Sequence, residues 1–348
     1  MKNIEQIKYL TDAGLKALVS GLIKDLAVFG TVKKDGFPAW ARLSDGGELE
    51  LFQTPTHLSA KEFFFPQRET LLRFNRREGT HEPVIEASEQ VVIGLHSCDI
   101  HAVALMDRVF AFGTPDVNYL ARRERTVIIG ADCFPDKYCF CSSVGTRDAD
   151  TGFDLFLHKL KKGVLVRVGS KRGADLLDRY TNARLATLAE LKEKETREAE
   201  RASSFTTTLD APASALPEIY AGSDESPVWD RIGAVCYGCG SCNNVCPTCY
   251  CFDIKDEVKA NLVDGERVRV WDACTLEDFA KVAGGHNFRK TRGARLRHRF
   301  NRKFRYLSDR FGGLFCVGCG RCSRTCLVNI NIAGVTNELI CERYKKQG

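Results

Sequence analysis

Apolar residues in the first part of the chain follow patterns that predict an α/β domain. Across residues 4–28 they recur at helical spacing, with a break near Gly21. Residues 28–52 divide into short segments separated by turn sequences at 34–36 and 45–47, which is typical of antiparallel strands. We therefore expect a helix followed by strands of a sheet.

Three uninterrupted apolar runs follow, and they predict buried strands of a largely parallel sheet. They occupy residues 91–95, 127–129 and 164–166. Residues 101–112 and 154–160 are the predicted intervening helices. Residues 1–180 are thus expected to form an α/β domain with a mixed sheet.

The middle of the chain is charged at first and then has the composition of a linker. Residues 184–202 are rich in Ala, Leu, Glu, Lys and Arg and predict an exposed helix. Residues 203–226 collect Ser, Thr, Ala, Pro and Asp, as linkers do. We place this charged helix and linker at 181–226 and a second, α-helical domain at 227–348, which includes a long and partly helical insertion at 247–315.

Two cysteine runs with the spacing C-x2-C-x2-C-x3-C dominate the second domain. The first consists of Cys236, Cys239, Cys242 and Cys246, and the second of Cys316, Cys319, Cys322 and Cys326. With this spacing, three cysteines of a tight loop hold one [4Fe–4S] cube and the fourth reaches the cube of the other loop. Glycines lie between the ligands of both loops, where the backbone must turn sharply. Structural zinc, the alternative, usually takes two separated pairs of ligands, so the runs favour a module with two clusters.

Overall composition favours a globular protein of a reducing compartment. Of the 348 residues, 44% are hydrophobic and 28% are charged, which is enough to bury a core without disulfides. Residues 1–10 carry no apolar signal segment, and no apolar run approaches the roughly 18 residues of a membrane span. We expect a cytoplasmic protein without a membrane span. The net charge of +6 says little about partners, because anionic clusters would offset part of it.

The sequence around these runs resembles one family of iron–sulfur subunits. The segments that carry the resemblance are Cys246-Pro-Thr-Cys-Tyr-Cys-Phe-Asp253, Trp271-Asp-Ala-Cys274, Ser97-Cys-Asp-Ile-His-Ala102, Asp132-Cys133 and Cys139-Phe-Cys-Ser-Ser-Val-Gly145. Together they span most of residues 25–340 and resemble the iron–sulfur β subunit of cytoplasmic sulfhydrogenases. The same pattern is similar to the dicluster iron–sulfur subunit of anaerobic sulfite reductase and to the iron–sulfur subunit of flavin oxidoreductases linked to heterodisulfide reductase.

The resemblance implies a subunit that relays single electrons through [4Fe–4S] clusters. It would stand between a flavin- and NAD(P)H-binding subunit and a catalytic subunit of hydrogenase, sulfite reductase or heterodisulfide reductase type. Carried over by motif, the ligands of cluster 1 are Cys236, Cys239, Cys242 and Cys326, and those of cluster 2 are Cys316, Cys319, Cys322 and Cys246. The chain has no G-x-G-x-x-G after a predicted strand and no P-loop, so the partner would bind the flavin or nucleotide.

Four further cysteines fall near the ends of predicted strands. Cys98 follows the run at 91–95, Cys133 follows the run at 127–129, and Cys139 and Cys141 lie on the same loop as Cys133. The carboxyl ends of parallel strands form a common ligand crevice, so these thiols are a possible third [4Fe–4S] site. Alternatively, Cys98 is a small buried residue and the others are loop thiols. A rival hypothesis is a reductase that binds its own substrate in this crevice.

The other cysteines leave several interpretations open. Cys249, Cys251 and Cys274 are structural residues, neighbours that raise the potential of a cluster, a redox-active pair, or ligands of another metal. Cys341 is isolated on a predicted helix and is expected to be structural. His96 and His101 flank Cys98, and we assign a ligand role to neither.

A basic segment at residues 289–305 lies between the two cysteine runs. Nine of its seventeen residues are Lys or Arg, and aromatic residues are interleaved with them. Such a stripe would suit a redox-sensing nucleic-acid binder. Because cluster motifs lie on both sides, compensation of cluster charge or docking of an acidic partner explains the segment better, and we expect no nucleic-acid partner.

Overall fold

The computed structural model describes residues 7–345. Its strands are β1 Ile7–Leu10, β2 Ala27–Lys34, β3 Phe37–Arg42, β4 Arg68–Asn75, β5 Thr80–Pro83, β6 Gln90–Leu95, β7 Thr126–Ala131, β8 Leu155–Lys159, β9 Val164–Val168, β10 Arg184–Leu185, β11 Phe252–Val258 and β12 Asp264–Trp271. Its α-helices are α1 Asp12–Asp25, α2 Ser97–Phe110, α3 Val117–Glu124, α4 Lys171–Tyr180, α5 Leu188–Ser203, α6 Leu216–Ala221, α7 Val228–Val235, α8 Ser241–Asn244, α9 Arg292–Phe304, α10 Tyr306–Phe311, α11 Arg321–Arg324 and α12 Ile332–Lys345. Within this range, no helix combines the length and the apolar character needed to cross a membrane.

A mixed sheet forms the centre of the N-terminal part. Among residues 7–345 it has eight strands in the order β10-β1-β9-β8-β7-β6-β2-β3. The pairs β2–β6, β6–β7 and β7–β8 are parallel, and the outer pairs are antiparallel. Strands β6 and β7 are buried along their whole length, as the apolar runs at 91–95 and 127–129 predict. The mixed sheet expected from the sequence is therefore present.

Two local predictions in this part need correction. Residues 154–160, predicted to be helical, form strand β8, which pairs with β7 on one side and β9 on the other. Because β8 and β9 are antiparallel neighbours, a short turn joins them and no crossover helix is needed. The apolar stretch predicted as helix over 4–28 begins with strand β1, and α1 starts only after the Thr11 side chain caps its first turn, 3.0 Å from the Gly14 amide. Residues 4–6 of that prediction lie outside the described residues.

The insertion at 247–315 corrects the expectation of a purely α-helical second domain. Its residues form the hairpin β11–β12, which joins β4 and β5 from the N-terminal part in a four-stranded antiparallel sheet, in the order β11-β12-β4-β5. The junction is held by Arg269 of β12, whose buried guanidinium pairs with Glu69 and Asp116. Sequence reasoning missed this hairpin because β11 is exposed along its whole length and shows no apolar period.

A helical core surrounds the cysteine runs, and the predicted linker contributes to it. Helix α6 lies within residues 203–226 and buries Leu216, Ile219 and Tyr220. The Tyr220 ring stacks on Phe304 of α9 with centroids 4.8 Å apart. Helices α7, α9 and α12 pack around the same core, so this segment is an ordered part of the fold.

Candidate iron–sulfur centres

The two cysteine runs form two loops of the same conformation. The two glycines between the cysteines have positive φ in each, 70° and 77° for Gly238 and Gly240, and 62° and 69° for Gly318 and Gly320. Residues other than glycine rarely adopt this left-handed conformation. Each loop leads directly into a four-residue helix, α8 or α11. The fourth cysteine of each run follows its helix and is thereby separated from the first three.

The first cavity combines cysteines from both runs. The cysteines proposed for cluster 1 line it, and so does Cys322 of the second run: Cys236, Cys239, Cys242, Cys326 and Cys322. Cys239 is exposed, and so are Tyr237 and Leu327 at the rim of the cavity. The fourth cysteine of the second run thus meets the first three of the other run near the surface.

The second cavity is the counterpart and lies deeper. It is lined by the cysteines proposed for cluster 2: Cys246, Cys316, Cys319 and Cys322. Cys246 and Cys319 are buried. Burial raises the pKa of Cys319 to about 11, so the free thiol is protonated at neutral pH. Binding of iron would release this proton, because only a thiolate is a metal ligand.

Buried cations beside the cavities fit an anionic group. Arg299 of α9 lines both cavities, and Lys303, one turn further, lines the second. Arg299 donates to the Cys242 carbonyl oxygen at 2.9 Å, and Lys303 donates to the Thr248 hydroxyl at 2.8 Å. Among the described residues neither forms an ion pair with a carboxylate, and the buried Nε of Arg299 has no hydrogen-bond partner. Because buried charge requires compensation, thiolate-bound clusters at these two places fit the cations that are present.

A single metal ion and a [4Fe–4S] cube make different demands on the same cysteines. A tetrahedral zinc site requires four ligand atoms within about 2.3 Å of one centre, whereas a cube takes one cysteine at each iron. Within residues 7–345, no group of three or more His, Cys, Asp or Glu side chains is arranged to hold a single metal ion.

The second loop is packed tightly against the N-terminal cysteine loop. The Phe140 amide donates to the Gly318 carbonyl oxygen at 2.8 Å, and the Thr146 hydroxyl donates to that of Val317 at 2.7 Å. A Cβ atom on Gly318 would lie 2.5 Å from the Cys141 amide nitrogen. The fully buried Arg321 of α11 also pairs with Asp99 of α2, with Nη1 and Oδ1 2.7 Å apart. These contacts hold the second cysteine loop against the carboxyl ends of β6 and β7.

The four N-terminal cysteines come together at the carboxyl ends of β6 and β7. Cys98 lies in the first turn of α2 directly after β6, and Cys133 follows β7. Cys98 and Cys141 pack with Cys319 in one buried cluster. The thiol of Cys133 interacts electrostatically with those of Cys139 and Cys141. Burial raises the pKa of Cys133 and Cys141 to about 12, so free thiols at these positions are neutral.

The two histidines beside Cys98 differ in their surroundings. His96 is buried, its Nδ1 has no hydrogen-bond partner, and burial lowers its pKa to about 4, so the ring is neutral. His101 instead contacts the Asp148 carbonyl oxygen through Nε2 at 2.8 Å.

Cys249, Cys251 and Cys274 form a third group of thiols next to cluster 2. The buried side chain of Asn243 in α8 donates to the sulfurs of Cys274 at 3.1 Å and Cys249 at 3.8 Å. Lys61 reaches the same group: its Nζ donates to the Cys249 carbonyl oxygen at 3.0 Å. Sequence reasoning missed Lys61 and Asn243, because nothing around Lys61 marks it and Asn243 reads as an ordinary residue of the loop. Cys341 is exposed on α12, away from these groups.

The basic segment turns part of its charge inward. Arg295, Arg299 and Lys303 lie four residues apart on α9 and are all buried. Two of them line the cavities of the clusters, as charge compensation requires. The buried side chains are not available to nucleic-acid phosphates, which weakens the nucleic-acid alternative.

Comparison with known proteins agrees with this geometry. A sequence model described as a 4Fe-4S dicluster domain matches residues 235–330, which include both cysteine runs. The fold and the paired loops thus define a dicluster iron–sulfur protein. The chain is also 38% identical over 320 residues to the sulfhydrogenase 2 subunit beta of Pyrococcus furiosus, covering 90% of this chain and 92% of that protein. The chain belongs to the family of sulfhydrogenase beta subunits, and it is an iron–sulfur electron-transfer subunit. No solved structure matches the chain with significance.

Proposed function

We propose that this subunit relays single electrons between a flavin- and NAD(P)H-binding subunit and a catalytic subunit of hydrogenase, sulfite reductase or heterodisulfide reductase type. The observation that carries the proposal is the pair of four-cysteine cavities, one opening at the surface and one lying against the N-terminal cysteines. A relay needs centres in series, with at least one close to the surface. The family relative is named as a subunit of a sulfhydrogenase, which supports the presence of oxidoreductase partners.

The proposed ligand sets follow the two cavities. Cluster 1 is bound by Cys236, Cys239, Cys242 and Cys326, and cluster 2 by Cys316, Cys319, Cys322 and Cys246. The lining of the cavities supports this crossed assignment. A bound [4Fe–4S] cube supplies a one-electron couple. The chain itself supplies the thiolates, excludes water around cluster 2 and offsets negative charge with Arg299 and Lys303.

A third [4Fe–4S] cluster at Cys98, Cys133, Cys139 and Cys141 is part of the proposal. The contact of Cys98 and Cys141 with Cys319 supports it, because a cluster there would neighbour cluster 2. The buried His96, whose Nδ1 is unpartnered, precedes Cys98 by two residues and would help to set the potential of this cluster. The order of centres would then be the N-terminal site, cluster 2 and cluster 1.

We also propose a cytoplasmic location and a boundary between an N-terminal α/β part and the cluster-bearing part near 181–226. All sixteen cysteines are free of disulfide bonds, which suits a reducing compartment. The hairpin β11–β12 crosses this boundary, so we expect the two parts to fold together rather than independently.

The test is anaerobic purification of the full chain by itself, followed by iron and sulfide quantification and EPR of the reduced protein, and a second purification together with its partners. Two cubes give about eight irons with equal sulfide, and three give about twelve. Co-purifying subunits identify the catalytic type. Stoichiometric zinc without sulfide would overturn the proposal.

A second candidate function is reduction of a substrate at Cys133. The observation in its favour is a cavity lined by Cys133, Arg201 and Lys159, together with the carboxylates of Asp132, Glu198 and Glu200. An open iron position there would bind a small anion or sulfur species. The EPR signal of the third cluster would then change on addition of sulfite or polysulfide, whereas an unchanged signal leaves a simple relay.

A further inference from the structure

Cys251 and Cys274 are held side by side by the hairpin of the insertion. Cys251 immediately precedes β11, and Cys274 follows β12. The strands pair Phe252 with Trp271, and the Asp272 amide continues the ladder by donating to the Cys251 carbonyl oxygen at 2.9 Å. The thiols of Cys251 and Cys274 are close enough to interact electrostatically with each other. Neither cysteine lines the cavities of cluster 1 or cluster 2.

The surroundings favour negative charge on this pair. The Asn243 amide nitrogen donates to Cys274 at 3.1 Å, and its orientation is fixed because its oxygen accepts from the Thr275 hydroxyl at 3.1 Å. Arg302 faces Cys251 and Cys274 without a carboxylate partner among the described residues. Donors and cations of this kind stabilise a thiolate, the reactive form in thiol–disulfide chemistry.

A thiol path connects the pair to cluster 2. The Cys249 amide donates to the carbonyl oxygen of Cys246, a proposed ligand of cluster 2, at 3.3 Å, and the two thiols interact electrostatically. On its other side, Cys249 shares the Asn243 amide group with Cys274. Electrons therefore have a short route of sulfur atoms and hydrogen bonds between the pair and the cluster.

We propose that Cys251 and Cys274 are a dithiol–disulfide couple that exchanges two electrons with the clusters. On oxidation the S–H bond of Cys251 breaks and one proton leaves to solvent beside this partly exposed residue. The Cys251 sulfur and the Cys274 thiolate form one S–S bond, and one electron passes to each of two oxidised clusters. Reduction reverses every step. The couple would convert single-electron steps into a two-electron step. This inference rests on the proposed relay function, because the clusters are the redox partners of the couple.

Trapping of the wild-type holoprotein tests the inference without any substitution. Anaerobic samples, one oxidised and one reduced with dithionite, are quenched in acid with a thiol-alkylating reagent, digested and analysed by mass spectrometry. We expect a Cys251–Cys274 cross-linked peptide in the oxidised sample only. A cross-link in both states would show a permanent disulfide, and its absence from both would overturn the inference.

Electron counting supplies the second measurement. Reductive titration of the wild type should take up two electrons more than the Cys251→Ser variant, while iron and sulfide stay equal. Cys341→Ser, at the exposed cysteine of α12, is the matched control and should titrate like the wild type. Loss of iron from Cys251→Ser would make the residue a cluster ligand and overturn the dithiol assignment. The relay proposal is tested separately by the iron, sulfide and EPR values of the wild type, so the two failures are distinguishable.

Discussion

Arg299 stands out among the single residues because its charge is buried between the two proposed clusters. It lines both cavities, and its neighbours include Cys242, Cys322 and Cys246. A cation at this place stabilises the extra electron of a reduced cluster more than the oxidised state. Arg299 should therefore raise the reduction potentials of both centres.

Replacement of Arg299 by Gln should lower the potential of both clusters. Two unit charges about 4 Å apart interact with about 1 kcal/mol in water and about 4 kcal/mol near a protein surface. Since 59 mV corresponds to about 1.4 kcal/mol for one electron, we expect the reduction potentials to fall by about 40 to 170 mV. An EPR-monitored redox titration measures it.

Arg297→Gln is the matched control on the same helix. Its guanidinium donates to the Asp224 carbonyl oxygen at 2.7 Å and lines neither cavity. The reduction potentials of the clusters in Arg297→Gln should equal those of the wild type. Equal shifts in both variants would show a general effect of net charge and contradict the special place of Arg299.

At the scale of elements, the four-residue helices α8 and α11 decide which cluster each fourth cysteine reaches. Each helix follows its loop without a break and delivers Cys246 or Cys326 to the cavity of the other run. The two helices contact each other, which brings the loops into a pseudo-symmetric pair. Cys322, which lines both cavities, lies where the two sites meet.

Crossed ligation makes a specific prediction for single Cys→Ala variants. Cys326→Ala should lose the same EPR signal as Cys239→Ala, and Cys246→Ala the same signal as Cys319→Ala. Each should lose up to about four irons. If Cys326→Ala instead resembles Cys319→Ala, each run holds its own cluster and the crossing is wrong.

The elements also show how far sequence reasoning reaches. Strands β6 and β7 and helix α7 are predictable because each is specified by its own apolar pattern. The cysteine spacing likewise predicts two adjacent loops without knowledge of the fold. Strand β8 was mistaken for a helix because a short apolar run does not reveal its period, and only pairing with β9 decides it.

The remaining errors concern long-range contacts. The hairpin β11–β12 is stabilised by β4, almost two hundred residues away along the chain, and by the buried pairing of Arg269 with Glu69. No local pattern encodes such a partner. The same holds for Lys61, which reaches Cys249 only after the chain has folded. The cysteine spacing and the basic segment at 289–305 are thus readable from sequence, whereas contacts between distant segments, such as that of Lys61, are not.

At the scale of the whole molecule, the two cavities proposed to hold clusters differ in depth. The cavity proposed for cluster 2 lies between the helical core and the mixed sheet, near Gly318, Cys141 and the buried Arg321. The cavity proposed for cluster 1 lies beneath an exposed apolar rim, where Tyr237 is 67% and Leu327 is 77% exposed. An apolar rim over a redox centre is a suitable surface for a partner that exchanges electrons with cluster 1.

Replacement of Leu327 by Arg should weaken electron exchange at this rim and leave the clusters intact. A charged side chain in the desolvated centre of an interface costs about 1.4 kcal/mol or more, so we expect about tenfold weaker association with the partner. Stopped-flow reduction of the clusters by the co-purifying flavoprotein or catalytic subunit measures the rate against partner concentration.

Leu188→Arg, at a leucine of α5 that is 84% exposed, is the control and should keep the wild-type rate. Iron content and EPR spectra should match the wild type in both variants, because Leu327 lies beside Cys326 but supplies no ligand atom. If Leu327→Arg and Leu188→Arg have equal rates, the docking surface does not include Leu327. The partner would then exchange electrons at the N-terminal cysteines instead.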